Sequence, residues 1–226
     1  MREASLVAAA PNWLGFAAMS SSPPRPAPMI LVGSGRLADS LARALEAQGQ
    51  AATIAAEPPS GARTLVWIDD EPETDLATLA DMDEEEWARR GEQPLRRYMR
   101  FLQQARRAIG DGGGRILVLV PTTGTNGAAG LVPWATAIEG ARSLTKAAAR
   151  AWAPAGITIT SVALSPSLLA PGARDRLERP GLPPMSFGRL PDVTDLAALL
   201  LALLNPAWSK VTGATIPFDG GSWMGL

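Results

Sequence analysis

The sequence predicts a three-layer α/β fold built on an open, mostly parallel and shortened sheet. Three observations predict it. Five or six short apolar runs alternate with helix-like segments along the 226 residues. The run RILVLV is apolar without interruption, as a strand covered on both faces must be. Finally, only EPPSGAR separates the second run from the third, too little for the helical crossover that usually joins parallel strands.

The elements follow in order. Residues 1–28 read as an N-terminal lead and connector, and 29–226 as one domain. The lead, MREASLVAAAPNWLGFAAM, sets Glu3 beside Arg2 and breaks its apolar stretch at Pro11 and Asn12, unlike a secretory signal. SSSPPRPAP (20–28) is an extended connector. A strand through Ile30 and Val32 leads into a glycine turn and a helix with Leu37, Leu41 and Leu45 on one face. Gly49 stops that helix, and QAATIAA and TLVWI supply the next two strands.

In the second half, Asp81 and Glu84 suit a reciprocal cap on the acidic helix DMDEEEWARR. Pro94 interrupts the pattern before Leu95, Tyr98, Met99, Leu102 and Ile109 resume helical spacing. GDGGG turns the chain into RILVLV, and an Ala-rich helix over 134–152 ends before Pro154 and Gly156. ITITSVAL forms another strand, DVTDLAALLLALLN (192–205) a helix, and ATIPF the last strand. The stretch 170–190 reads as an excursion above the sheet, either a substrate lid or an ordinary surface loop.

Composition narrows the function classes. With 21 Lys plus Arg against 22 Asp plus Glu, nothing suggests a nucleic-acid groove, and Arg89-Arg90 and Arg96-Arg97 read as solvated helix faces. Cys and His are both absent, which removes thiolate nucleophiles, disulfides and zinc sites built on sulfur or imidazole. General acid–base work is left to carboxylates, hydroxyls, lysines and the single tyrosine, Tyr98. Apolar stretches are broken well before about 20 residues, so no membrane partner is expected and a cytoplasmic location is.

VGSGRLA places Gly33, Gly35 and Ala38 in G-x-G-x-x-A spacing between a strand and a helix. Small residues there allow a tight turn, close approach to a pyrophosphate and close helix–strand packing, the device of a Rossmann-like fold. The same glycines also suit a turn that keeps its packing and holds no cofactor. A ribose-binding acid belongs about 20 residues on. Glu57, 24 positions after Gly33, falls beyond the second strand and fits poorly. The short link to TLVWI implies either a direct connection or loss of the helix–strand–helix unit that would wall the adenine side.

VGSG…LARALEAQG, GGGRILVLV, the long helix before GITITSVA, and VTGATIPFDGG together resemble the short-chain dehydrogenase/reductase family, near the 3-oxoacyl carrier-protein reductases. The resemblance covers about 29–224. It implies a single Rossmann-type domain, NAD(P) use, and tetramers built partly from paired long helices. It also implies an Asn, a Ser, a Tyr and a Lys in catalysis. Counting back from GITIT puts the tyrosine position on Trp134 and the lysine position on Ile138. The asparagine position is Pro94, and the serine position falls at Pro121, Thr122 or Thr123. WIDD (67–70) stands where the family has NNAG, and Ser165-Pro166 where it has Pro-Gly.

Carbonyl reduction by hydride transfer needs a proton donor and stabilisation of the growing oxyanion. Neither the indole of Trp134 nor the alkyl chain of Ile138 supplies them, so no catalytic residue is assigned. Burial of this pair would instead fill the cleft, contributing roughly 3–5 kcal/mol. Tyr98 reads as packed in its helix and Lys146 as a surface residue. Asp69 and Asp70, at a strand's carboxyl end, form the best unexplained polar pair.

The expectation is therefore a non-catalytic family-like subunit that assembles with an active oxidoreductase or with itself. The helix carrying Leu95, Met99 and Leu102 and the 134–152 helix would supply the contacts. The active partner would act on an acyl thioester or another β-oxo/β-hydroxy substrate. No cofactor is expected in this chain, with NAD(P) held by that partner, and no metal. The alternatives are an active NAD(P)-dependent oxidoreductase with a rearranged site, and a ligand-sensing regulatory homo-oligomer.

Overall fold

The computed structural model describes residues 27–69, 75–127, 129–169 and 188–222. Most of the 170–190 excursion, and Asp70 with it, lies outside them. Six parallel strands form one sheet in the order β2-β1-β3-β4-β5-β6. They are β1 (Met29–Val32), β2 (Ala52–Ala55), β3 (Thr64–Trp67), β4 (Gly114–Pro121), β5 (Ile157–Leu164) and β6 (Thr215–Phe218). That is the dinucleotide-binding order 3-2-1-4-5-6 without its strand 3 and with one further parallel strand, β6, at the opposite edge, so the expected shortening holds on the β2 side alone.

The link from β2 to β3 is direct, and length explains how. Residues 56–63 must return along a four-residue strand, about 13 Å, and cross two strand spacings, about 10 Å. Eight residues reach about 28 Å, so no helix is required. The link lies on one face of the sheet, where Gly61 N–H donates to the Ala108 carbonyl at 2.8 Å and Ala62 joins the core.

On that face lie α3 (Gln93–Ile109) and α5 (Val132–Trp152), burying Tyr98, Phe101, Ala105, Trp134 and Ile138 against Ile30, Leu65, Ile116 and Ile159. On the other face α1 (Gly35–Ala47) and α7 (Val193–Leu203) bury Leu37, Leu41, Leu45, Leu196 and Leu200 against Met29, Leu31, Val66 and Leu117. Alternate residues of each central strand serve opposite layers, the strand periodicity of two at work. Among the described residues the remaining short α-helices are α2 (Glu84–Trp87), α4 (Thr123–Asn126) and α6 (Pro166–Leu169).

Two local readings change. The cap of the acidic helix is Asp83, whose carboxylate accepts from Glu86 N–H at 2.8 Å, while Asp81 ends a preceding 3-10 turn. The reciprocal cap occurs at α7 instead, where Asp192 and Asp195 satisfy each other's backbone N–H groups. Pro94 does not break its helix either. A π-helical turn, Ala88–Glu92, joins α2 to α3, and Pro94 sits in the first turn of α3, where a missing N–H costs little.

Candidate functional site

The carboxyl ends of β1, β3 and β4 open towards one edge of the sheet, where sites in such folds gather. At one end of that edge is the β1–α1 turn. Gly33 has φ +143°, and a Cβ there would meet the Ile68 carbonyl oxygen at 2.4 Å, so backbone contact with the residue after β3 demands glycine. Gly35, at φ +81°, differs: a Cβ there meets nothing within 4 Å. Ser34 holds the N-cap position without a side-chain capping bond, and no acidic residue occupies the first turn of α1. Among the described residues the first turn of α1 thus carries no negative charge and nothing packs where a Gly35 side chain would stand, which suits an anion. Glu57 lies exposed two residues beyond β2, as the sequence spacing indicated.

The other end is packed. Pro94, Pro121, Trp134 and Ile138 all line one cavity of about 40 Å³, so the structure brings together the residues that the sequence register set against the family's asparagine, tyrosine and lysine, with one of the three candidates for its serine. Trp134 is only 2% exposed and Ile138 5%. Gly124 of α4 presses on Ile138, for a Cβ there would lie 2.6 Å from Ile138 Cγ2. Thr122 and Thr123 are buried beside this end of β4, and the Thr123 hydroxyl has no partner among the described residues.

Two titratable side chains line the cavity, Asp69 and Tyr98. Asp69 accepts from Arg97 at 3.1 Å, a partner that sequence reasoning missed. Arg97 and Arg90 are not solvated as expected. Arg90 is buried and donates to Glu86 at 2.7 Å and to the Asp75 carbonyl, leaving Arg89 and Arg96 as the exposed members. The alternation of Arg pairs on the helix contained this signal, since neighbours point to different faces.

Tyr98 is in the core, as its apolar stripe predicted, and its hydroxyl lies 2.6 Å from Thr145 Oγ1. Thr145 gives its own proton to the Ala141 carbonyl at 2.9 Å, so Tyr98 must be the donor. Burial pushes the phenol well above its ordinary range, outweighing the opposing effect of the Thr145 bond. Trp67 stacks on Phe101 with centroids 4.7 Å apart, closing the cavity's flank. Lys146 is exposed, and at the later strand end the hydroxyls of Ser165 and Ser167 pair at 2.8 Å. Chemically this end can hold apolar matter, but neither Trp134 nor Ile138 can exchange a proton at neutral pH.

The chain matches the family model described as enoyl-(acyl carrier protein) reductase over residues 73–222. It is 30% identical over 149 residues to a 3-oxoacyl-[acyl-carrier-protein] reductase of Vibrio cholerae, covering 65% of this chain and 61% of that protein. It is 32% identical over 123 residues to a peroxisomal 2,4-dienoyl-CoA reductase of Pongo abelii, covering 50% of this chain and 41% of that one. The chain thus spans less than two thirds of these curated relatives.

Among solved structures, a blue fluorescent protein from a metagenomic library, in complex with NADPH, superposes with TM-score 0.65 at 20% identity. That match covers 88% of this chain and 98% of the other. A dehalogenation enzyme superposes with TM-score 0.64 at 19% identity. The NADPH complex overturns the expectation of a chain without cofactor. The inference from a packed α5 end reached too far, because this fold houses NADPH in that protein and the β1–α1 end of the present chain is open. No helix among the described residues is long and apolar enough to cross a membrane. Sequence match and fold agree, and the chain belongs to the short-chain dehydrogenase/reductase family.

Proposed function

We propose that this chain is a dinucleotide-binding subunit of a short-chain oxidoreductase assembly, one whose own α5 does not deliver the proton of carbonyl reduction. The observation that carries it is the joint burial of Trp134 and Ile138, the residues that counting back from GITIT sets against the family's tyrosine and lysine. Gly33, Ser34, Gly35 and the first N–H groups of α1 would hold the pyrophosphate of NAD(P), which when bound supplies a hydride. The ribose of the nicotinamide would find no cation at Ile138, so binding rests on the phosphate end. α3 and α5 would carry the contacts with a partner, and the substrates would be acyl thioesters or related β-oxo compounds, as the curated relatives' names suggest.

Calorimetry with NADPH and NADH, followed by a reduction assay on an acetoacetyl thioester, tests this. Binding without turnover by the chain alone is expected, with activity appearing only alongside a competent family reductase. Reduction by the purified single chain at an enzyme's rate, with contaminating reductases excluded, would refute it. That result would favour a second reading, an active oxidoreductase with a rearranged site. Its support is the likeness to named reductases and the buried Thr123 hydroxyl at the end of β4, which has no partner among the described residues. Thr123→Val then abolishes turnover in the second reading and leaves the first untouched.

A further inference from the structure

The two edges of the sheet differ in what they offer a further strand. At one edge lies β6, where the Ala214 carbonyl accepts from Ser161 N–H at 2.9 Å. Backbone groups alternate in direction along a strand, so those of Thr215 and Pro217 turn outward. Pro217 is exposed and has no N–H to give there, which blunts that edge. At the other edge lies β2, which the absent strand would have covered. The carbonyls of Ala51 and Ala55 accept from Met29 and Gly33 N–H at 2.9 and 3.1 Å, which turns the N–H and C=O groups of Ala52 and Ile54 outward. Among the described residues nothing hydrogen-bonds to these outward groups. The usual protections of an edge are also lacking. Between Ala47 and Arg63 the only charge is Glu57, and Pro58 and Pro59 come after the strand has ended. Thr53 is exposed, and Ile54 is 39% exposed. An uncharged edge with unpaired donors and acceptors is a template for another strand.

We infer that β2 pairs with β2 of a second copy of the chain, antiparallel about a two-fold axis at Thr53, so that two sheets become one. The inference goes beyond the proposed function and leaves the α3 and α5 layer free for a different partner. A two-fold contact must be self-complementary, and this strand is. With Thr53 opposite Thr53, Ala52 of one copy faces Ile54 of the other, and the pair exchanges both N–H···O bonds. The reciprocal pair does the same, so every outward backbone group of the strand finds a partner. Side chains agree with this register. Ala52 packs into the α1 layer, and Ile54 shares its side of the strand, so the large residue meets the small one across each pair. The two Thr53 side chains form the close, non-hydrogen-bonded pair and share a hydroxyl bond.

Charge and closure both favour a second copy. No charged residue lies within the paired strands, so no like charges oppose each other. Pairing of β2 with β6 of another copy would run on without closing, and Pro217 withholds the donor that contact needs. The strand is only four residues long, so the contact buries less than about 1,200 Å² and the dimer is weak.

The chain has no cysteine, which allows the axis to be tested by crosslinking the full-length protein. Thr53→Cys sets two thiols across a non-hydrogen-bonded pair with Cα atoms about 4.5 Å apart, within disulfide reach. Ala55→Cys sets them about 13 Å apart along the strands, outside it. Under mild oxidation the first should form a disulfide-linked dimer about tenfold faster than the second, or more. Sedimentation velocity of the unmodified chain from about 10 μM to about 1 mM should show a monomer–dimer equilibrium that is insensitive to salt. Ile54→Pro removes an outward donor and no bond to β1, so it should weaken association by about tenfold or more. Ile54→Lys, which places a charge on the edge, should do the same, and circular dichroism checks that each variant is folded. A monomer at every concentration, equal crosslinking at the two positions, or association that neither Ile54 variant weakens overturns the proposal. A chain that is monomeric alone, yet loses binding to an active family reductase with Ile54→Lys, gives the edge to that partner and overturns self-pairing.

Discussion

The β1–α1 turn and the α5 end lie on the same edge of one sheet, yet the two are built in opposite ways. At the turn the chain keeps side chains out: Gly35 leaves open space over a helix start with no acidic first turn. At α5 it puts them in, with Trp134 and Ile138 buried and Gly124 pressed on the isoleucine. On the proposed function, this contrast would separate two properties usually found together, holding a nucleotide and using it. Binding depends on backbone geometry, whereas proton delivery depends on particular side chains.

The largest expected effect breaks the packed end. Trp134→Ala should cost about 3–5 kcal/mol in urea unfolding, the loss typical of a buried aromatic. A loss below about 1 kcal/mol would mean that the indole is not part of the core. Next, Gly33→Ala and Gly35→Ala sharpen the distinction within the open end. Both impose a left-handed cost of about 1–3 kcal/mol, but only the first drives a methyl into the Ile68 carbonyl. Gly33→Ala should therefore destabilise more, while Gly35→Ala should mainly weaken NADPH binding measured by calorimetry. Equal unfolding curves would remove the difference.

Smaller again is Tyr98→Phe, which removes the bond to Thr145 but keeps the ring, for a loss of about 0.5–1.5 kcal/mol. Since folding raises the tyrosine's pKa, its contribution is complete below the unfolded value, about 10, and fades as pH climbs past it. The phenylalanine variant should thus lose less stability than wild type between pH 9 and 11, about the range where this titration falls. The least effect belongs to a control remote from both ends. Hydrogen bonding by Arg189, then by Asp192 N–H, holds Asp195 below the ordinary carboxylate range. Its contribution is present above the unfolded pKa, about 3.9, and disappears as pH falls through the lower folded value. Asp195→Asn should flatten that acid limb in chemical unfolding and leave nucleotide binding unchanged.

Much of this fold was legible in the residues. The continuous apolar run RILVLV located β4, ITITSVAL located β5, the Leu37–Leu41–Leu45 spacing located α1, and seven residues of EPPSGAR announced the missing unit. The register through GITIT led to Trp134 and Ile138, and the structure sets both beside one cavity. Other features were hidden for physical reasons. A π-turn is one extra residue of backbone and leaves no side-chain pattern, so Pro94 read as a break. Asp81 and Asp83 both begin acidic stretches, and only backbone geometry decides which one caps. The Asp69–Arg97 pair joins residues 28 apart, a contact that spacing along the chain does not encode. The space at Gly35 was likewise invisible, for it depends on which of the described residues fail to pack over it.

The direct β2–β3 link carries a consequence for how the chain reaches its fold. Three adjacent strands, β2, β1 and β3, come from residues 29–67 alone, whereas β4, β5 and β6 are gathered from 114–218. Closing short loops costs less chain entropy than closing long ones, and local topologies form faster. The first half-sheet can therefore assemble early and present β3 as the template on which β4 must later dock. Deleting a unit on the adenine side thus changes the order of assembly, giving the N-terminal half of the sheet a head start.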